Sequence, residues 1–97
     1  RGDTLIDNDM KRFIKVFKAL ANEERIEIIR LLNKHKEMCA QEVEKHFFLE
    51  QSTTSHHLNT LRRAGITNAR KDGRRVFYSI NREEFLSLWD NFSKLLV

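Results

Sequence analysis

Proline is absent from the 97 residues, and only three glycines interrupt them. A chain without proline can run its helices unbroken, and short connections must come from other turn residues. One cysteine, Cys39, excludes a disulfide within the chain and suits a reducing compartment. No apolar run approaches the roughly 20 residues of a membrane span, and the polar, acidic start RGDTLIDNDMK has none of the features of a secretory signal. These absences point to one cytoplasmic domain spanning residues 1–97, with no membrane partner. Enzyme chemistry also lacks its parts. There is no Gly-rich phosphate loop and no carboxylate pair spaced to share a cleft. Ser55 and His56 are neighbours on a helix, so they diverge and make no dyad.

What the chain does have is unevenly spread charge. The net charge is +4, but residues 51–82 hold Arg62, Arg63, Arg70, Lys71, Arg74, Arg75 and Arg82 against Asp72 alone. The remainder is slightly acidic. A basic segment of this kind is either a solvated surface or the footprint of a polyanion.

Apolar spacing predicts a mainly α chain with a small β-hairpin. A first helix is expected over Asp7 to Ala21, with Met10, Phe13, Phe17 and Leu20 on one stripe and Ile14 and Val16 off it. Asn22 is a suitable N-cap for a second helix, EERIEIIRLLNKH. A short third helix covers Ala40 to His46. A fourth begins at QSTTSHHLNTLRR, directs Leu58 and Leu61 to the core, and ends at Gly65 as its C′ residue. Asp72-Gly73 signals a hairpin turn, and Val76, Tyr78 and Ile80 alternate as a strand. Asn81 and Glu84 have capping-box spacing for a last helix, EEFLSLWDNFSKLLV. That helix carries two apolar stripes, and the first helix is similarly over-provided. Phe13, Phe17, Phe85, Leu88, Trp89, Phe92 and Leu95 are therefore candidates for a homodimer interface.

Helices three and four, separated by FFLE, form a helix-turn-helix, and the hairpin tipped by KDGRR forms a wing. This order explains why the fourth helix opens with polar residues. The N-terminal turns of a recognition helix reach base edges in the major groove. Glutamine can pair with adenine in two places, and serine and threonine bond several bases. Gln51, Ser52, Thr54, Ser55 and His56 are thus candidate DNA contacts, with Arg70, Lys71, Arg74 and Arg75 on the wing. Arg62 and Arg63 stand open between DNA contact and ordinary surface. His56 and His57 point about 100° apart, so they are poorly placed to chelate one ion.

ALANEERIEIIRLL, QSTTSHHLNTLRRAGI and ARKDGRRVFYSI, in that order, resemble the ArsR-type (ArsR/SmtB) winged helix-turn-helix repressors. The resemblance covers about residues 10–97. It implies a homodimeric transcription regulator that represses by binding an inverted-repeat, double-stranded DNA operator. It also implies base and backbone contacts at Gln51, Ser52, Ser55 and His56, and a helix-packing role for His57. The family's thiol metal site is a Cys-x-Cys on the third helix. Here Cys39 matches its first cysteine and Gln41 stands where the second would be. The family's C-terminal site uses histidine, and the last helix has none. The expectation is a regulator without those metal sites and without a cofactor, whose inducer the sequence does not name. Cys39 is expected to be a partly buried apolar residue. The alternatives are a non-standard metal or thiol sensor built on Cys39 with His35 or His46, and a winged-helix module for protein or nonspecific nucleic acid.

Overall fold

The computed structural model describes residues 4–97, and their side chains from residue 8. The first residues of the polar N-terminal segment lie outside that description. The elements are α1 (Thr4–Leu20), α2 (Glu23–His35), β1 (Met38–Cys39), α3 (Ala40–Phe47), α4 (Gln51–Arg63), β2 (Thr67–Asp72), β3 (Arg75–Ile80) and α5 (Arg82–Ser93), closed by a 3-10 turn, Lys94–Leu96. The sheet order is β1-β3-β2, antiparallel throughout.

Local chemistry sets several of these boundaries. Asn22 caps α2 as expected: its Oδ1 accepts the Arg25 N–H at 3.0 Å. The end of α4 is a Schellman motif. The Ile66 N–H donates to the Leu61 carbonyl at 3.0 Å and the Gly65 N–H to the Arg62 carbonyl at 2.9 Å. Gly65 sits at φ +81°, a region that costs glycine little and other residues more. At α3 the Glu42 carboxylate reaches back to the Cys39 N–H at 2.9 Å, and that bond holds its pKa below the usual carboxylate value.

Three expectations about the elements themselves change. Met38–Cys39 is a strand, pairing Met38 with Tyr78 and Cys39 with Phe77, so the wing is a three-stranded sheet rather than a lone hairpin. The hairpin turn lies one residue later than Asp72-Gly73. Asp72 pairs with Arg75, and Gly73-Arg74 forms the loop with only Gly73 at positive φ (+64°), the φ signs of a type II′ turn. Asn81 precedes α5, but the capping box does not form. Its Nδ2 donates to the Gly65 carbonyl at 3.2 Å, and Glu84 pairs with Arg12 of α1. The start of α5 is therefore tied to the end of α4 and to α1.

The core lies between α1, α2, α4 and the sheet. Ile28, Leu32, Val43, Leu58 and Leu61 are fully buried, and Phe13, Val16, Ile66, Tyr78 and Leu88 complete it. The inward face of α1 is thus Phe13, Val16 and Ala19, rotated from the expected stripe, while Met10 and Ile14 are left exposed. Of the candidates for the dimer interface, Leu88 is buried in its own chain and is withdrawn from it, whereas Phe13 packs inward and also lines the surface between α1 and α5. Cys39 is wholly buried rather than partly so.

Candidate nucleic-acid interface

Helices α3 and α4 are joined by Phe48–Glu50. Phe48 adopts a left-handed conformation at φ 55°, caps α3 through its N–H to the Glu44 carbonyl, and is 94% exposed. Glu50 starts α4 without a side-chain cap, and the first turn of α4 contains no acidic residue. Its leading N–H groups are therefore not blocked by a neighbouring side chain, and together with the helix dipole they favour an anion. Gln51, Ser52 and His56 are exposed and Ser55 is half-buried. Positions 52, 55, 56 and 59 share one face of the helix by their spacing. Asn59 belongs to that face and was missed by the sequence reading.

Thr54 does not belong to it. Its side chain is 0% exposed, and its Oγ1 has no hydrogen-bond partner. It points into the core beside Leu58, one helical turn on, so it is withdrawn from the contact set. A buried hydroxyl without a partner costs about 1–3 kcal/mol. Thr54→Val keeps the shape and removes that cost. It is expected to raise the unfolding free energy by about 1 kcal/mol in urea titrations and to leave DNA binding unchanged. A drop in DNA affinity would return Thr54 to the interface.

The two adjacent histidines occupy different environments. His56 is exposed. His57 is 5% exposed and locked. The Arg25 guanidinium can only donate, so the 3.2 Å contact from its Nη1 makes His57 Nδ1 an acceptor. Nε2 then carries the proton and donates to Glu24 Oε1 at 2.7 Å. Both ring nitrogens are used, which leaves His57 no lone pair for a metal. Arg25 in turn donates from Nε to the Ala19 carbonyl at 2.6 Å and from Nη2 to the Lys18 carbonyl at 3.4 Å. These are carbonyls at the C-terminal end of α1, where the last helical carbonyls have few partners within the helix, although that of Lys18 also accepts the Ala21 N–H at 3.3 Å. One chain of hydrogen bonds thus fixes α4 against α2 and α1. His35 and His46 are exposed, and no three His, Cys, Asp or Glu side chains cluster as a metal site among the described residues.

The wing divides in a similar way. Lys71, Arg74 and Arg75 are exposed, and none has a carboxylate within ion-pair distance among the described residues. Arg70, another of the candidate contacts, is exposed but is also engaged within the fold. Its Nε and Nη2 bond both oxygens of Glu37 at 3.0 and 2.8 Å, and its guanidinium lies 4.9 Å from the centre of the Phe77 ring. The Arg70 hydrogen bonds hold the Glu37 carboxyl below its usual pKa, and Glu37 raises that of Arg70. Arg70 fastens the base of the wing to the loop after α2.

Apolar surface is concentrated away from the wing. Met10, Phe13, Ile14, Phe17, Phe92 and Leu95 line a cleft of about 320 Å³ between α1 and α5. Phe92 stands edge-on to Phe13 and Phe17 at 5.3 and 4.9 Å between ring centres. Leu86, Trp89 and Leu96 on the C-terminal segment are exposed as well, and Phe85 is half-buried.

A helix-turn-helix with an uncapped polar second helix, followed by a basic β-wing, defines a winged helix-turn-helix domain. Comparison with known proteins agrees. The family described as "Bacterial regulatory protein, arsR family" matches residues 22–69. The cadmium resistance transcriptional regulatory protein CadC of Listeria innocua is 35% identical over 74 residues, 76% of this chain and 62% of that protein. The chain therefore aligns with about three-fifths of that relative's length. The transcriptional activator HlyU of Vibrio cholerae is 31% identical over 90 residues, 93% of this chain and 82% of HlyU. Its solved structure superposes with a TM-score of 0.71 at 32% identity, covering 89% of this chain and 92% of that one. A homodimeric winged helix-turn-helix DNA-binding domain from Mycobacterium bovis superposes with a TM-score of 0.74 at 28% identity, covering 90% and 80%. The chain belongs to the ArsR family of bacterial regulatory proteins. No helix among the described residues is long and apolar enough to cross a membrane.

Proposed function

We propose that the chain is a cytoplasmic, homodimeric transcriptional repressor that binds an inverted-repeat DNA operator through α4 and the wing. The observation that carries this reading is the polar face of Gln51, Ser52, Ser55, His56 and Asn59. It sits on a helix with an uncapped N-terminus, and the wing that follows in the chain carries the exposed cations Lys71, Arg74 and Arg75. Gln51 and Ser52, at the start of the helix, meet base edges. His56 and Asn59 follow along the groove, and the wing cations meet phosphates. The exposed ring of Phe48, between α3 and α4, offers an apolar contact of the kind that meets thymine methyls. Repression follows from occupancy of a site that overlaps a promoter. The apolar cleft between α1 and α5 supports pairing of two copies, which gives the two-fold symmetry an inverted repeat requires.

Selection from a random duplex pool tests this directly. Enrichment of an inverted repeat with half-sites about one helical turn apart is expected. On that operator, Gln51→Ala should relax preference at one base pair, by the roughly 1–3 kcal/mol a bidentate contact supplies. Arg75→Ala should weaken operator and random DNA equally and reduce the salt slope by about 0.9 for each phosphate lost. Binding without enrichment would favour a nonspecific interaction module instead.

A further inference from the structure

We propose that the cleft between α1 and α4 is a further DNA-backbone surface, in which Lys15 and Lys18 of α1 bind phosphates together with Arg63. This inference rests on the DNA-binding reading above and extends it to a helix outside the helix-turn-helix and the wing. The cleft holds about 310 Å³ and is lined by Lys15, Lys18, Arg25, His56, Thr60 and Arg63. Four permanent cations meet there, and no acidic side chain lines it. Among the described residues no carboxylate lies within ion-pair distance of Lys15, Lys18 or Arg63. Arg25 spends donors on the Ala19 and Lys18 carbonyls and on His57, so it adds charge more than contacts. Like charges gathered without counter-charges repel one another, and a polyanion relieves that repulsion.

The position of the cleft selects the polyanion. His56, Thr60 and Arg63 recur at spacings of four and three, so one side of α4 forms the wall. This is the helix that carries Gln51 and Ser52 at its other end. Thirteen residues make a helix of about 20 Å, whereas the major groove is about 12 Å wide. With its first turns on the bases, the last turns of α4 pass the groove edge, where the phosphate strand runs. A helix C-terminus carries partial negative charge and would by itself repel that strand. Arg63 and the two α1 lysines reverse the sign of the field there. The cleft is open along the surface, which suits a passing strand better than an enclosed small anion.

The test compares wild type with the Lys15→Ala/Lys18→Ala double variant and with Lys15→Glu/Lys18→Glu. Both lysines are exposed, so circular dichroism should show unchanged folds. Binding to the selected operator and to a scrambled duplex is followed by anisotropy across a salt series. The alanine variant is expected to lose about tenfold or more on both duplexes near physiological salt. Its log-log salt slope should fall by about 0.9 per lysine-phosphate contact, and its preference for the operator should not change. The glutamate variant should lose more. Unchanged slopes in both variants would overturn the inference, as would a loss confined to the operator. So would inorganic phosphate that saturates the cleft of the DNA-free protein at submillimolar concentration while the slopes stay unchanged, which would mark a small-anion site. The scrambled duplex separates the two readings. If wild type prefers no sequence but the lysines still set the slope, the operator reading fails and the cleft stands.

Discussion

Ile14→Glu is expected to yield a folded monomer whose operator affinity is lower by two to four orders of magnitude. Ile14 is half exposed on α1, on the rim of a cleft lined otherwise by Met10, Phe13, Phe17, Phe92 and Leu95. Within one protomer its replacement by a charged residue disturbs little, because the inward face of α1 is Phe13, Val16 and Ala19. Across a two-fold interface the same residue appears twice, so one substitution places two carboxylates against apolar surface. Each carries a desolvation penalty of several kcal/mol. No cation lines the cleft to offset it. The chain is also elongated: its radius of gyration is 14.8 Å, against about 12.5 Å for a compact domain of this length. Loss of pairing removes the second half-site contact, and linked sites gain roughly 10²–10⁴ over single ones. Sedimentation and operator titration of the variant give both readouts. A variant that sediments as wild type does, with unchanged affinity, would show that α1 is not the interface.

The parts of the fold legible in the sequence are those set by local chemistry. Asn22 begins α2 and Gly65 ends α4, because a cap and a C′ glycine act within four residues of themselves. The order of elements followed from apolar spacing and one strong turn signal. What the sequence could not place depended on contacts distant along the chain. Met38–Cys39 is too short to show a period, and only its partners Tyr78 and Phe77 make it a strand. The stripe on α1 was ambiguous because Met10, Phe13 and Phe17 share a helical spacing as good as that of Phe13, Val16 and Ala19. Packing against α2 and α4 decides between them. At the candidate interface, Gln51, Ser52 and His56 lie on the surface as their polarity suggested, but residue type alone did not show what holds two others in the fold. Thr54 follows the same polar run and yet faces Leu58. Arg70 carries the same charge as Arg74 but has Glu37 within reach, 33 residues away in sequence. Lys15 and Lys18 carried no signal beyond that of cations near a helix C-terminus, until α4 was placed beside them.

The adjacent histidines should respond to the same substitution in opposite ways. His57→Ala is expected to lower the unfolding free energy by about 2–4 kcal/mol, whereas His56→Ala stays within about 0.5 kcal/mol of wild type, as exposed positions usually do. The first figure combines a cavity with the loss of two hydrogen bonds to charged partners. Glu24 and Arg25 are partly solvated and recover some of that loss from water, which keeps the figure below the sum of its parts. The remaining cost is architectural. Without Nδ1 as acceptor, Arg25 loses one of the contacts that hold it between the end of α1 and the buried side of α4. His57→Gln should restore part of the stability, since its amide offers one acceptor and one donor, though not at the same spacing. For DNA the order reverses at the level of mechanism. On the proposed interface His56→Ala removes a contact, and it should weaken operator binding with the fold intact. His57→Ala should weaken it by loosening the recognition helix, and the loss should shrink at lower temperature or with added osmolyte, where the folded population recovers. Urea titrations of the three variants, paired with operator titrations, separate these outcomes. If His57→Ala proved as stable as His56→Ala, the Arg25–His57–Glu24 chain would contribute nothing to holding α4, and the orientation of the helix would rest on Leu58 and Leu61 alone.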